Sequence, residues 1–415
     1  VEETEHIRWS RVLAFVGLTF LLLELASQVV IFAWAKEPYE SLSLYRWSPY
    51  GLVRNNPNST HPSFSINPQG FRNVRSFTRK KPKNTLRIIL LGGSVLYSGI
   101  GGRTRLKKPE LVNSESTIAQ FLEARFRRDR SFAGLDFEVI NAAVNFNRIV
   151  EVSTAYLAEW AFWDPDLVIV CGSANNFGYM PRAGAVDRGD LSLHNSHPWR
   201  LEFERLANQR SFLSAFENSW LSLEEHLASA AISRKVLSKG IDRALGLAGS
   251  FRPLSRQSAS PVAAHPASTP WADRDEQDRY IEGYLGFAAA IVSAARQRSQ
   301  SVAFFWEYFV AHLHGIRPFN EEEKRLHLGN TRSSSEIDRG FDFYARDRVR
   351  EFCAKEGATF LDPMDAVIRT VPGTLFIDYL HYTKEGNAAF ADFMYEELRE
   401  ELQKKATEIR AGTQR

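Results

Sequence analysis

The residues of this chain best suited to chemistry are a serine and a histidine that lie far apart in sequence. Ser94 closes Gly92-Gly93-Ser94, where the apolar run 86–91 breaks. His381 stands three residues after a carboxylate in Asp378-Tyr379-Leu380-His381. A serine hydroxyl is a weak nucleophile until a base removes its proton. An imidazole acts as that base when a carboxylate orients its ring and stabilises its charge. On a turn, Asp378 can reach the ring of His381. Two glycines let the backbone turn sharply and set Ser94 at a strand end.

Each motif also has a plainer reading. Ser94 suits a helix N-cap, Asp378 a turn cap and His381 an exposed surface. A phosphate loop fails because no Lys-Ser/Thr follows at the required spacing, and no Gly-x-Gly-x-x-Gly is present. The Gly-x-Ser-x-Gly elbow fails because Leu96 stands at its second glycine. Asn141 and Asn175 close apolar strands, where an asparagine either caps a turn or donates to a developing oxyanion. His194 with His197, and His312 with His314, are possible metal pairs. Neither has a clear third ligand, so neither a metal nor a cofactor is expected.

The elements that must position these residues alternate along the chain. Strand patterns cover 86–91, 137–140, 167–171, 302–306 and 359–361. Helical spacing covers 116–130, 149–162, 273–298, 336–355 and 384–405. Five buried strands separated by helices predict a parallel sheet covered on both faces, with right-handed crossovers and a three-layer α/β/α fold. In such sheets a site lies beyond the carboxyl ends of the strands, and both motifs fall there.

The 415 residues are 44% hydrophobic and 24% charged, with a formal net charge of +3, which is ordinary globular composition. This balance gives no case for nucleic-acid binding; the densest basic run, 125–130, reads as a solvated helix end. Cys171 and Cys353 belong to no ligand pattern and read as buried thiols.

Residues 12–34 are mostly apolar and carry a single charge, Glu24. At about 1.5 Å per residue this stretch can cross a ~30 Å hydrocarbon core. A cleaved signal peptide is the rival, since Ala33-Trp34-Ala35 resembles a cleavage site, although signal cores are usually shorter. The expected organisation is a tail at 1–11, a transmembrane helix at 12–34, a juxtamembrane connector at 35–85, a domain at 86–405 with an insertion at 178–272, and a tail at 406–415. The low-complexity end of the insertion reads as a loop. The expected location is a bacterial inner membrane, single-pass, with the large domain in the periplasm. Glu24 suits a lone helix with a neutral carboxyl, or contact with other membrane subunits.

Taken together, these blocks resemble the SGNH hydrolases, the GDSL esterase/lipase superfamily, over about residues 67–400 outside the insertion. Gly92-Gly93-Ser94 with Gly99 is similar to the first block, with Gly93 in place of the usual Asp. Asn141 to Phe146 is similar to the second, Ser173-Ala174-Asn175-Asn176 to the third, and Asp378-x-x-His381 to the last. Asn67 to Arg72 resembles the lead-in of membrane-anchored bacterial members. The resemblance implies a flavodoxin-like sheet, Ser94 as nucleophile, His381 as base and Asp378 as its orienting group. It implies oxyanion donors at the Ser94 backbone, the Asn175 side chain and the Phe146 backbone. Phe146 stands where the family has glycine, and Ser173 and Asn176 also depart from the pattern.

Two functions compete. One is a membrane-anchored esterase or O-acyltransferase acting on acylated glycans. The other is a non-catalytic subunit of a larger membrane complex, of respiratory or photosynthetic type. In the second case a fully buried Phe146 ring is expected, and its loss would cost roughly 3–5 kcal/mol.

Overall fold

Thr85–Gly92 (β5) carries no solvent-facing side and is buried along its whole length. A strand of that kind is stable only in the middle of a sheet covered on both faces. The computed structural model places it there. It describes residues 12, 14–27, 29, 45–48, 52–57, 60–61, 64–98, 112–178, 181, 184–187, 191, 272–313, 316–329 and 339–412.

Parallel neighbours flank β5. Asp136–Asn141 (β6) pairs on one side, with Ile89 opposite Ile140. Leu167–Cys171 (β7) pairs on the other, with Gly92 opposite Cys171. Ser301–Phe305 (β8) and Thr359–Leu361 (β9) complete a five-stranded parallel sheet in the order β6-β5-β7-β8-β9. This is the flavodoxin-like strand order, whose direction reverses between β5 and β7.

The connecting helices are Ser94–Tyr97 (α1), Ile118–Arg128 (α2), Ile149–Ala158 (α3), Ser173–Phe177 (α4), Arg274–Gln297 (α5), Glu321–Gly329 (α6), Arg339–Glu356 (α7) and Lys384–Arg410 (α8). Right-handed crossovers put α2 and α8 on one face and α3, α5 and α7 on the other. In agreement, α8 packs on α2, and α5 packs on α3 and α7. Side chains fix where the helices start. Asp273 accepts from the Glu276 N–H at 3.0 Å, and Thr383 from the Gly386 N–H at 2.9 Å.

The sheet and its order meet the expectation; several other elements differ. The helix expected over 149–162 stops at Ala158 and tightens into a 3₁₀ turn, Trp160–Trp163. That turn swings Trp160 and Trp163 onto Phe71, at 5.3 and 5.1 Å between ring centroids. Helix α6 has no counterpart in the sequence reading. The segment read as an unpatterned connector holds two hairpins, Tyr45–Ser48 (β1) with Leu52–Asn55 (β2), and Thr60–His61 (β3) with Phe64–Ser65 (β4). It also contributes Ile66, Phe71 and Phe77 to the core. No period marks it because its residues pack singly. Asn67 Oδ1 accepts from the Gln69 and Phe71 N–H groups at 3.0 and 2.9 Å, around Gly70 at φ 86°. Arg72 is fully buried, donates to Ser114 Oγ at 2.6 Å and lies over the Tyr97 ring.

By its contacts the chain separates into Val1–Leu44 with His197–Ala263, and Tyr45–Ser196 with Ala264–Arg415. In the first unit, residues 14–27 are helical with exposed apolar side chains such as Phe15, Leu18 and Phe20. No helix among the described residues is long and apolar enough to cross a membrane. Residues 13, 28 and 30–34 of the expected span lie outside the described residues, as do 192–271 of the insertion.

A buried ion pair ties the amino ends of the central strands. Arg87 on β5 donates through Nε to Glu138 Oε2 on β6 at 2.7 Å, and through its other nitrogens to the Thr78, Arg79 and Trp163 carbonyls. Removing one partner of a buried pair strands the other charge at a cost of about 3–5 kcal/mol. Arg87→Met is therefore expected to lower the urea-unfolding free energy by about that amount, and adding Glu138→Met to recover part of it. A cost below about 1 kcal/mol for Arg87→Met would show that the carboxylate finds water.

Candidate active site

The carboxyl end of β5 is shaped by two close approaches. A Cβ at Gly92 would lie 2.1 Å from the Cys171 carbonyl oxygen on β7, so the strands meet there only because Gly92 has no side chain. A Cβ at Gly93 would lie 2.2 Å from Asn175 Nδ2. Gly93 is extended, at φ −90° and ψ −155°, and turns the chain into α1 with Ser94 as its first residue. Behind Ser94, Asn141 Nδ2 donates to the Leu96 carbonyl at 2.7 Å. Asn141 therefore braces α1 from the end of β6.

Asn175 comes from α4, directly after β7. Its Nδ2 donates to the Asn147 carbonyl at 2.9 Å and packs against Gly93, beside Ser94. Asn176, where the family pattern differs, makes a local bond instead, as its Oδ1 accepts from the Ile149 N–H at 3.0 Å at the start of α3. Phe146 precedes Asn147 and sits at φ 68°. That is the left-handed region, which costs a side-chain-bearing residue about 1–2 kcal/mol and glycine nothing. The backbone thus keeps the shape a glycine would allow although the residue is phenylalanine. The expectation of a fully buried ring is corrected, because Phe146 is half-buried.

The Asp378–His381 pair forms a closed turn. Asp378 Oδ2 lies 2.7 Å from His381 Nδ1, while Oδ1 accepts from the Leu380 and His381 N–H groups at 2.8 and 2.7 Å. The turn is pinned by Ile377 N–H to the His381 carbonyl at 2.8 Å, and docked by Val310 N–H to the Tyr379 carbonyl at 2.9 Å. Burial by itself would lower the His381 pKa. The Asp378 carboxylate outweighs it and lifts the pKa above its ordinary 6.5. Burial by itself would raise Asp378, but the His381 charge and the hydrogen bonds hold it below its ordinary 3.8. An ionised Asp378 accepts only, so Nδ1 carries a proton and Nε2 is the acceptor.

That Nε2 is buried and has no hydrogen-bond partner. The Ser94–His381 hydrogen bond is thus open in this structure. Such bonds are often long without substrate and tighten on binding.

Of the remaining candidates, His312 is a core residue: its Nδ1 accepts from the Phe309 N–H at 3.0 Å and its Nε2 faces Asp342 at 3.4 Å. His194, His197 and His314 lie outside the described residues, as does Gly99. Among the described residues no three His, Cys, Asp or Glu gather as a metal site. Cys171 and Cys353 are both free and buried. The sequence reading missed Glu307. It is fully buried just beyond β8 and touches Ser173 and Ala174. A charged residue close after an apolar strand was the available signal.

As general base His381 works neutral, so kcat/KM is expected to rise with pH through a midpoint above 6.5. Asp378→Asn removes the group that raises that pKa, so the acid limb should move to lower pH. Turnover should fall by as much as ~10⁴, because the ring loses its preferred tautomer. An unmoved limb in a pH–rate profile of the variant would remove His381 from this role.

No protein-family profile matches the chain, and no curated protein is significantly similar to it. Solved structures are similar over much of its length. An acetyl xylan esterase, AlAXEase, has 10% identity and a TM-score of 0.37, covering 75% of this chain and 98% of its own. A GDSL-like lipase candidate from Parabacteroides merdae has 11% identity and a TM-score of 0.37, covering 76% and 98%. An acetylxylan esterase from Geobacillus stearothermophilus, in a catalytic mutant form, has 11% identity and a TM-score of 0.37, covering 77% and 96%. At these values the similarities carry no argument about activity or substrate. Gly92-Gly93-Ser94 stands at the end of the central strand, Asn175 beyond its neighbour and Asp378-x-x-His381 before the last helix, all at the carboxyl edge of a flavodoxin-like parallel sheet.

Proposed function

We propose that the chain is a serine ester hydrolase or O-acyltransferase, and the Asp378–His381 pair is the observation that carries this reading. An ionised carboxylate at 2.7 Å from Nδ1 leaves Nε2 as a buried, unpartnered base. Ser94 and Asn175 lie at the adjoining ends of β5 and β7, where sites form in sheets of this order. In the reaction His381 closes on Ser94 and takes the hydroxyl proton as Oγ attacks the ester carbonyl. The Ser94 N–H and Asn175 Nδ2 donate to the oxyanion, with the Phe146 N–H as a third donor. The protonated His381 then gives its proton to the leaving alcohol. An acyl-serine remains, and water or a second alcohol releases it.

The substrate we propose is an O-acylated glycan outside the cytoplasm. Its motivation is the apolar stretch 12–34, read as a single-pass anchor in a bacterial inner membrane with the domain in the periplasm. The exposed apolar side chains of residues 14–27 support an environment of lipid for that segment. Full-length chain in mild detergent should release p-nitrophenol from a short acyl ester and acetate from an acetylated polysaccharide. Ser94→Ala should abolish both, and equal rates with and without the Ser94 hydroxyl would defeat the enzyme reading.

A second reading, a non-catalytic subunit of a membrane complex with Glu24 facing its neighbours, is favoured by the open Ser94–His381 geometry, while the half-buried Phe146 ring lends it no support. Phe146→Gly separates the two. It removes the left-handed cost of about 1–2 kcal/mol along with a half-buried ring, so stability should fall by less than the roughly 3–5 kcal/mol of a fully buried ring. In an enzyme, turnover on small esters should rise about tenfold as the donor site opens. Turnover still at background, together with migration of the wild type in a large native complex, would support the subunit. Recovery of the wild type without detergent would count against the anchor.

A further inference from the structure

The third donor-bearing block rests on a residue that the triad description does not use. Helix α4 is five residues long and carries Asn175. A helix of one turn does not hold itself in place, and most of its backbone donors lack an internal partner. Its N-cap, Gly172, has no side chain to supply one. Glu307, reaching from beyond the neighbouring strand β8, takes that place. Its Oε2 accepts from the Ala174 N–H at 2.6 Å and from Ser173 Oγ at 3.2 Å, and its own N–H donates to Ser173 Oγ at 2.9 Å. The exchange between Ser173 and Glu307 is reciprocal, as in a capping box, but it is made between two segments. Glu307 is 1% exposed, so water does not compete for these bonds.

We propose that Glu307 is a positioning residue of the site: it clamps the first turn of α4 and so fixes Asn175 beside Ser94. Asn175 is held from two sides. Asn147 takes its Nδ2 directly, at 2.9 Å, and Glu307 holds the preceding residue, Ala174, at 2.6 Å. A preorganised donor is effective because it does not have to reorient as charge develops. The groups around Glu307 are Cys171, Ser173, Ala174 and His381. Tyr284, Asp342 and Tyr382 also feel its charge. Burial pushes the carboxyl up, and the bonds from Ala174, Cys171 and Ser173 partly restore the ionised form. This chemistry rests on the proposed hydrolase or transferase; the clamp itself does not.

The test uses the full-length chain and two kinds of readout. The first is hydrogen–deuterium exchange over residues 173–177. Glu307→Ala should speed exchange there, while Glu307→Gln, which keeps one acceptor oxygen for the Ala174 N–H, should stay near wild type. The second is ester hydrolysis. Glu307→Ala should lower kcat about tenfold to a hundredfold with KM unchanged, within the range seen when an oxyanion donor is lost. Combined with Asn175→Ala it should add nothing further, because both changes disable the same donor. If Glu307→Ala does not fold, Ser173→Ala removes one of the clamp's partners and should shift exchange and kcat in the same direction. Unchanged exchange over 173–177, or a kcat loss that multiplies with that of Asn175→Ala, would overturn the proposal. Absence of Ser94-dependent hydrolysis in the wild type would defeat the enzyme reading alone, and the exchange result would still decide the role of Glu307.

Discussion

The contact on which the carboxyl edge depends is the approach of two glycines, the last residue of β5 and the one after it, to the last residue of β7 and the short helix that follows. Gly92 meets the Cys171 carbonyl and Gly93 meets the Asn175 amide, each closer than a Cβ would permit. The first lets two central strands stay paired to their last residue. The second brings the only side-chain amide of the donor set against the backbone that leads into Ser94. The sheet order supplies the rest, because the crossovers leave β5 and β7 in opposite directions and open a crevice between their ends. A Cβ at residue 93 would displace the Asn175 amide from its bond to the Asn147 carbonyl.

The site is also a problem of buried charge. Glu307 and Asp342 are carboxyls withdrawn from water and Asp378 is partly so, and each withdrawal favours the neutral form. Asp378 stays ionised because His381 and two backbone N–H groups compensate its burial. Glu307 has hydrogen-bond donors and only the more distant charge of His381 to offset its burial, so burial prevails and its pKa rises. At the opposite end of the sheet Arg87 and Glu138 solve the same problem with a direct ion pair at 2.7 Å. The amino end of the sheet is thus locked by paired charges. The carboxyl end holds a buried imidazole nitrogen with no hydrogen-bond partner.

Phe146 links fold to function in a different way. Its φ of 68° shows that the loop between β6 and α3 keeps a left-handed turn despite the side chain. Strain of this kind persists where surrounding bonds over-determine the backbone. Here the next residue, Asn147, receives Asn175 through its carbonyl, and Asn141 braces the loop's start. The turn is maintained by its neighbours even though the residue best suited to it is absent.

By itself the sequence determined the layers, the five strands and the Asp378-x-x-His381 turn, and it marked Ser94 as a candidate at a strand end. These follow from short-range signals: continuous apolar runs, helical spacing, a glycine break and an Asp-x-x-His turn. Leu167–Cys171 and Thr359–Leu361 fall where their apolar runs end. Only the tertiary structure decided three further points. It packed 66–84 onto the sheet, because Phe71 and Arg72 are placed by individual partners rather than by a period. It assigned Asn141 to bracing and Asn175 to the site, a distinction that depends on which neighbouring strand end each amide meets. And it brought Glu307 to the Ala174 N–H, next to Asn175, across 133 positions of chain. No local pattern encodes that contact, because it exists only when β7 and β8 lie side by side.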